Sequence, residues 1–155
     1  MNLSEWQNNL IGNWNGPNLL RLSWLTPSDY HSESKLSIQS AAKGKFITCT
    51  YTWSHENVAH EGVILLGYDE KQKMATAAWV DSWHMSSKVM FCQGVIEAQG
   101  AINIRGSYEA PPGPDWGWRI IITPKSPTAL QLVMYNITPE GEEDLAVQAD
   151  YQRES

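Results

Sequence analysis

Cysteine and phenylalanine are scarce in this chain, with two of each in 155 residues. Two thiols, Cys49 and Cys92, are too few for the disulfide framework of a small secreted scaffold, so the expectation is a cytoplasmic protein with both thiols reduced. Basic residues are also few. Eleven Lys and Arg against seventeen Asp and Glu leave a net charge of -6, and no Lys/Arg patch stands out. A nucleic-acid partner is therefore not expected, and an anionic membrane surface is disfavoured by the same charge. No stretch is long and apolar enough to span a bilayer. The opening Met1-Asn2-Leu3-Ser4-Glu5-Trp6 has neither a basic region nor an apolar run, so no signal peptide is expected. Gly-rich phosphate loops, a Gly-x-Ser-x-Gly elbow and internal repeats are missing too. Asn136-Ile137-Thr138 matches the glycosylation pattern, but without a secretory route that match carries no weight.

What the chain does have is tryptophan, eight residues of it. Each brings a large apolar surface and one N–H donor, so an interior rich in Trp needs polar partners or a wet cavity. The length fits one domain with a sizeable core. Near the start, Ser4 with Gln7 reads as a capping box, and Trp6 and Leu10 share a helical face, predicting one short helix that ends before Gly12. After it helix signals stop. Turn chemistry recurs at Thr26-Pro27-Ser28-Asp29, Lys43-Gly44, Glu56-Asn57, Gly67-Tyr68-Asp69, Ser86-Ser87, Gln99-Gly100, Pro111-Pro112-Gly113-Pro114 and Pro139-Glu140-Gly141. Short strands at such spacing indicate an all-β sandwich or barrel.

Alternation assigns the faces. Ile47, Cys49, Tyr51 and Trp53 oppose a row of threonines; Ile102, Ile104 and Tyr108 alternate with polar residues; Leu145, Val147, Ala149, Tyr151 and Arg153 alternate with Ala146, Gln148, Asp150 and Gln152. The set His60, Gly62, Ile64 and Leu66 is marked less sharply, because only Glu61 signals a wet face opposite. One dry and one wet face per strand is antiparallel behaviour. About ten such segments with short loops predict an up-and-down antiparallel barrel over residues 1–155, with a short N-terminal helix.

Gly12-Asn13-Trp14-Asn15-Gly16 resembles the Gly-x-Trp opening of calycin barrels. Gly67-Tyr68-Asp69, Trp79-Val80-Asp81-Ser82 and the closing Tyr151-Gln152-Arg153 together resemble a bacterial family of unknown function with a lipocalin-like barrel. The resemblance runs over nearly the whole chain and implies a fold, with fatty-acid-binding proteins, lipocalins and haem-binding nitrobindins as relatives by fold. A nitrobindin opening would continue Gly-x-Trp-x-Gly-x-Gly, whereas Pro17-Asn18 follow Gly16 here, which argues against a nitrobindin-type haem site. Fatty-acid-binding proteins hold a carboxylate with Arg-x-Tyr; the order here is Tyr151-x-Arg153, a chemical analogy only.

The resulting expectation is reversible binding of a small apolar or amphipathic molecule inside the barrel. Arg153 with Tyr151 would clamp an anionic group, with Asp81 and His60 assisting, and Tyr51, Trp53, Trp79, Tyr108 and Met134 would form the apolar wall. Trp24, Trp83, Trp116 and Trp118 are assigned to core or barrel-end packing, although the stiff loop running from Pro111 to Trp118 has the makings of a cover for a barrel mouth. The rival is a small enzyme using Asp81 and His60 or His84 as acid and base; a third class, an interaction module, would have a side-chain-filled barrel. His31, His55, His60 and His84 lack metal-ligand spacing, so no metal site is expected. The residues name no cofactor and leave the oligomeric state open, a homodimer included.

Overall fold

A computed structural model describes residues 2–155. One helix, α1 (Leu3–Leu10), precedes ten strands: β1 (Gly12–Arg21), β2 (Asp29–Ala41), β3 (Phe46–His55), β4 (Val58–Asp69), β5 (Met74–Asp81), β6 (Met90–Ile96), β7 (Ile102–Tyr108), β8 (Trp116–Ser126), β9 (Ala129–Ile137) and β10 (Glu143–Arg153). Each strand pairs antiparallel with its neighbour in sequence, and β1 closes on β10, with Trp14 opposite Arg153 and Leu20 opposite Val147. Closure leaves no unpaired sheet edge. The expected meander is thus a closed ten-stranded barrel. No helix among the described residues is long and apolar enough to cross a membrane.

Alternation sets the inner face as the sequence pattern implies. On β3, Ile47, Cys49, Tyr51 and Trp53 are buried while Thr50, Thr52 and Ser54 are exposed. On β10 the inward series Val147, Ala149, Tyr151 holds, but a bulge between Leu145 and Val147 also buries Ala146. Both cysteines are free and buried, and burial pushes the Cys49 thiol up to about 12 and that of Cys92 to about 11, which keeps both protonated and unreactive.

An eight-stranded barrel is just filled by its own side chains, so ten strands need extra volume inside. At one end α1 supplies it. Trp6 and Leu10 are fully buried, the Trp6 indole N–H donates to the Gly100 carbonyl at 2.9 Å, and Trp14 donates to Leu10 at 3.1 Å. The capping box forms two residues before the expected pair: Asn2 is the N-cap and Glu5 its partner. Gln7 instead lies buried and donates to the Gly44 carbonyl at 2.8 Å. The Asn2 amide oxygen accepts the N3 amide as the Ser4 hydroxyl would have done, and Asn2 stands two residues earlier.

Arg153 locks this end. Its guanidinium lies 4.3 Å above the Trp14 ring, and its nitrogens donate to the carbonyls of Pro127, Ile11 and Asn9. The last two are at the C-terminal end of α1, where a cation is favoured. A Cβ on Gly12 would come within 2.8 Å of the Arg153 Nη1, at a backbone φ of +145 that suits glycine. One end of the barrel is therefore shut, and any opening must lie at the other.

Candidate functional site

The opposite end gathers the termini of β1, β3, β5, β7 and β9 with the starts of β2, β4, β6, β8 and β10. Its organising group is Asp81, the last residue of β5 and 3% exposed. One carboxylate oxygen accepts from the Tyr51 hydroxyl at 2.6 Å and the Trp53 indole N–H at 3.3 Å. The other accepts the backbone N–H groups of Trp83 at 2.8 Å and His84 at 3.1 Å. Tyr51 in turn accepts from the Trp79 indole N–H at 3.0 Å. Burial and the adjacent carboxylate both hold the Tyr51 phenol well above its ordinary value, so it stays a donor. Gly62 makes room for it, since a Cβ there would sit 2.2 Å from the Tyr51 ring carbon and hydroxyl. A buried carboxylate is tolerated when its lone pairs are satisfied, and these four bonds do that.

By accepting the amides two and three residues on, Asp81 shapes the turn after β5 and so places Trp83 and His84. The imidazole of His84 stacks on Trp53 at a centroid distance of 5.3 Å and 28°, and lies 5.8 Å from Trp79 and 5.4 Å from Trp118. Trp79 and Trp118 stack nearly parallel, 5.3 Å apart at 11°. Trp83 stands edge-on to Trp53 and His84. Burial among these rings pushes the His84 pKa down to about 4, with Asp81 opposing the shift and His60 adding to it, so His84 is a neutral imidazole at neutral pH.

Above this layer lies a cavity of about 180 Å³. Its aromatic wall is Trp24, Trp79, Trp83, Tyr108 and Trp118; His84 forms the floor with Leu20, and Met85, Leu22, Leu145 and Ala146 complete the apolar lining. Polar groups reach it from Arg21, Asn136 and Asp144. The Tyr108 hydroxyl is held by Asn136 at 2.5 Å. Trp118 keeps its place although its buried indole N–H has no acceptor, a costly state for a donor. A second void of only about 10 Å³, beneath His84 and Leu20, touches Asn18, Tyr51, Trp53, Met134 and Val147.

The residues expected from the sequence thus fall in four places. Trp79 and Tyr108 line the open cavity. Tyr51, Trp53 and Met134 sit one layer deeper, around the small void, and Asp81 braces them. His60 packs tilted against Trp53 at a centroid distance of 5.0 Å and meets the Ser82 hydroxyl through Nδ1 at 3.0 Å, outside the cavity wall. Tyr151 and Arg153 do not form the expected clamp: Tyr151 shares a 2.6 Å hydrogen bond with Ser34 deep in the barrel, and Arg153 is spent on the closed end. The expected acid/base pair is likewise not assembled, because Asp81 meets His84 only through its backbone N–H. The cavity also takes Trp24, Trp83 and Trp118, expected as packing, His84, expected only as the acid or base of an enzyme, and Met85, for which the sequence carries no expectation. A local signal for two of them existed: Asp81-Ser82 directly before Trp83-His84 is turn chemistry that folds both rings back over the barrel.

A family model described as protein of unknown function (DUF1579) matches residues 3–153, and the chain belongs to that family. Among the solved structures that share its barrel are two that match it over nearly the whole chain. The crystal structure of Rv2717c from M. tuberculosis is 13% identical with a TM-score of 0.67, covering 97% of this chain and 96% of that one. The S-type phycobiliprotein lyase CPES from Guillardia theta is 14% identical with a TM-score of 0.65, covering 100% and 94%. At these identities the likeness is one of fold. No curated protein matches the chain.

Proposed function

We propose that this member of a family of unknown function reversibly binds a small apolar or amphipathic molecule at the open end of its barrel. The observation that carries the reading is the cavity of about 180 Å³ walled by five Trp and Tyr side chains. An apolar cavity of about 150 Å³ accepts benzene, whereas pockets that enclose drug-sized ligands run to roughly 300–1,000 Å³. The mouth therefore has room for one ring or a branched alkyl head, with any longer portion of the guest left in solvent. The fully bonded Asp81 network supports a rigid floor, so the cavity is shaped before a guest arrives. A cytoplasmic setting belongs to the same reading and rests on the two free thiols. The shared barrel of a phycobiliprotein lyase adds the fold and no residue of the site.

The test is titration of one-ring compounds such as indole and benzyl alcohol, followed by tryptophan fluorescence. Saturable quenching is expected. It should disappear in Ala146→Phe, and weaken in the milder Ala146→Leu, because Ala146 lines the cavity and a larger side chain would fill it; a cooperative unfolding transition in each variant is the control for folding. Unaltered binding in variants whose mouth is filled would place the guest elsewhere and end the proposal.

A further inference from the structure

The charges around the mouth decide which kind of guest it takes. Apart from His84, two ionic side chains line the cavity, Arg21 and Asp144. Arg21 is committed sideways, donating through Nε and Nη2 to the two oxygens of Asp29 at 2.8 and 3.0 Å. Both Asp29 and Asp144 act on this guanidinium, raising its pKa, Asp29 foremost. One cation thus faces two carboxylates, and one negative charge is in excess at the rim. Asp144 accepts from the Ser23 hydroxyl at 2.6 Å, a neutral partner that adds no counter-charge, and its remaining balance is the Arg21 guanidinium it shares with Asp29. His84, neutral at the floor, repels no cation. Arg153, the cation expected to grip an anion, is bonded at the far end. A carboxylate entering the mouth would find no unpaired cation among the described residues of its wall.

The remaining surface is aromatic. Indole and phenol rings carry a negative face that attracts alkylated ammonium groups, which lose little on leaving water compared with bare ions. The net charge of -6 raises the local concentration of cations around the molecule. No group of three His, Cys, Asp or Glu side chains suited to a metal ion occurs among the described residues, so the cation that fits is organic.

We propose that the mouth cavity binds a small organic cation, an alkylammonium whose substituted nitrogen sits among Trp79, Trp83, Tyr108 and Trp118 with Asp144 as its counter-charge at the rim. This rests on the cavity being the binding site and adds the sign of the guest's charge.

Three probes of one shape test it: choline, its neutral carbon analogue neohexyl alcohol, and the anion tert-butylacetate, each titrated into the full chain at neutral pH by calorimetry. Cation–π attraction corresponds to roughly twofold to thirtyfold in affinity, depending on desolvation. Choline is therefore expected to bind about tenfold more tightly than the alcohol, with tert-butylacetate weakest. Asp144→Asn, an exposed substitution, should weaken choline about threefold relative to the alcohol. Equal or tighter binding of the alcohol or the carboxylate would overturn the proposal, as would an unchanged preference in Asp144→Asn. If indole binds and choline does not, the charge assignment fails while the site stands. If no probe of either set binds, the site itself falls.

Discussion

Replacing Asp81 with alanine would strip four acceptor contacts from the barrel in one step. Two serve side chains in the buried layer, Tyr51 and Trp53, and two serve the backbone of the turn that carries Trp83 and His84. A hydrogen bond to a charged group is worth about 1.5–3 kcal/mol, and a buried donor left unpaired costs about 1–3 kcal/mol. The Trp53 contact is long and the turn amides regain some water, so simple addition overstates the loss. A total of about 4 kcal/mol is expected for Asp81→Ala, and about 2 kcal/mol for Asp81→Asn, whose single amide oxygen can satisfy only one of the two pairs. Against a native stability of about 5–15 kcal/mol, the alanine variant would be marginal. In urea, with a slope of about 2 kcal/mol/M, its midpoint should fall by about 2 M with the slope unchanged. A loss below about 1 kcal/mol in Asp81→Ala would mean that the carboxylate does not organise the floor, and the structural role given to it would be wrong.

Gly62→Ala should cost about 3 kcal/mol, because its Cβ would collide with a Tyr51 ring that is buried and bonded on both sides; urea unfolding measures it, and a neutral result would show that Tyr51 can move. His84 makes stability pH-dependent. The unfolded chain takes up this proton near the ordinary value of 6.5, the folded chain only near 4, so protons favour unfolding. Its contribution is intact above about 6.5, declines as the pH falls through that window and is gone below about 4. With part of the ring still reached by solvent, about 2 kcal/mol is expected, and His84→Gln should flatten that part of the curve. Arg153→Ala should lose about 2–3 kcal/mol through the carbonyls of Asn9, Ile11 and Pro127 and the Trp14 ring, while affinity at the mouth stays unchanged. A loss of affinity there would return Arg153 to the role of ligand clamp.

Much of the barrel is legible in the sequence because side-chain parity is a local property. The threonine row opposite Ile47, Cys49, Tyr51 and Trp53 fixes the inner face of β3 without any knowledge of its neighbours, and the turn residues count the strands. Parity gives a face and no depth. Tyr108 and Arg153 are both inward by alternation, yet they lie at opposite ends of the molecule, and only the closure of β1 on β10 reveals that Arg153 meets Trp14 and the end of α1. A cation near inward aromatics therefore reads as a clamp in one dimension and becomes a latch in three. Trp83, His84 and Met85 follow β5 in a turn, where parity says nothing. Their positions depend on the Asp81 carboxylate accepting their amides, a bond whose consequence for the mouth appears only once β8 brings Trp118 alongside Trp79. The helix start differs for a simpler reason: Asn2 and Ser4 are both good caps, each with an acidic or amide side chain three residues on, and local pattern does not choose between them.

The central claim, that the site lies at the open end, is tested most directly by the indole N–H signals of the eight tryptophans in a proton–nitrogen correlation spectrum during titration with indole or choline. The resonances of Trp24, Trp79, Trp83 and Trp118 should move together and saturate, while Trp6 and Trp14 at the closed end stay fixed. Movement confined to Trp6 and Trp14, or no movement at saturating guest, would contradict it.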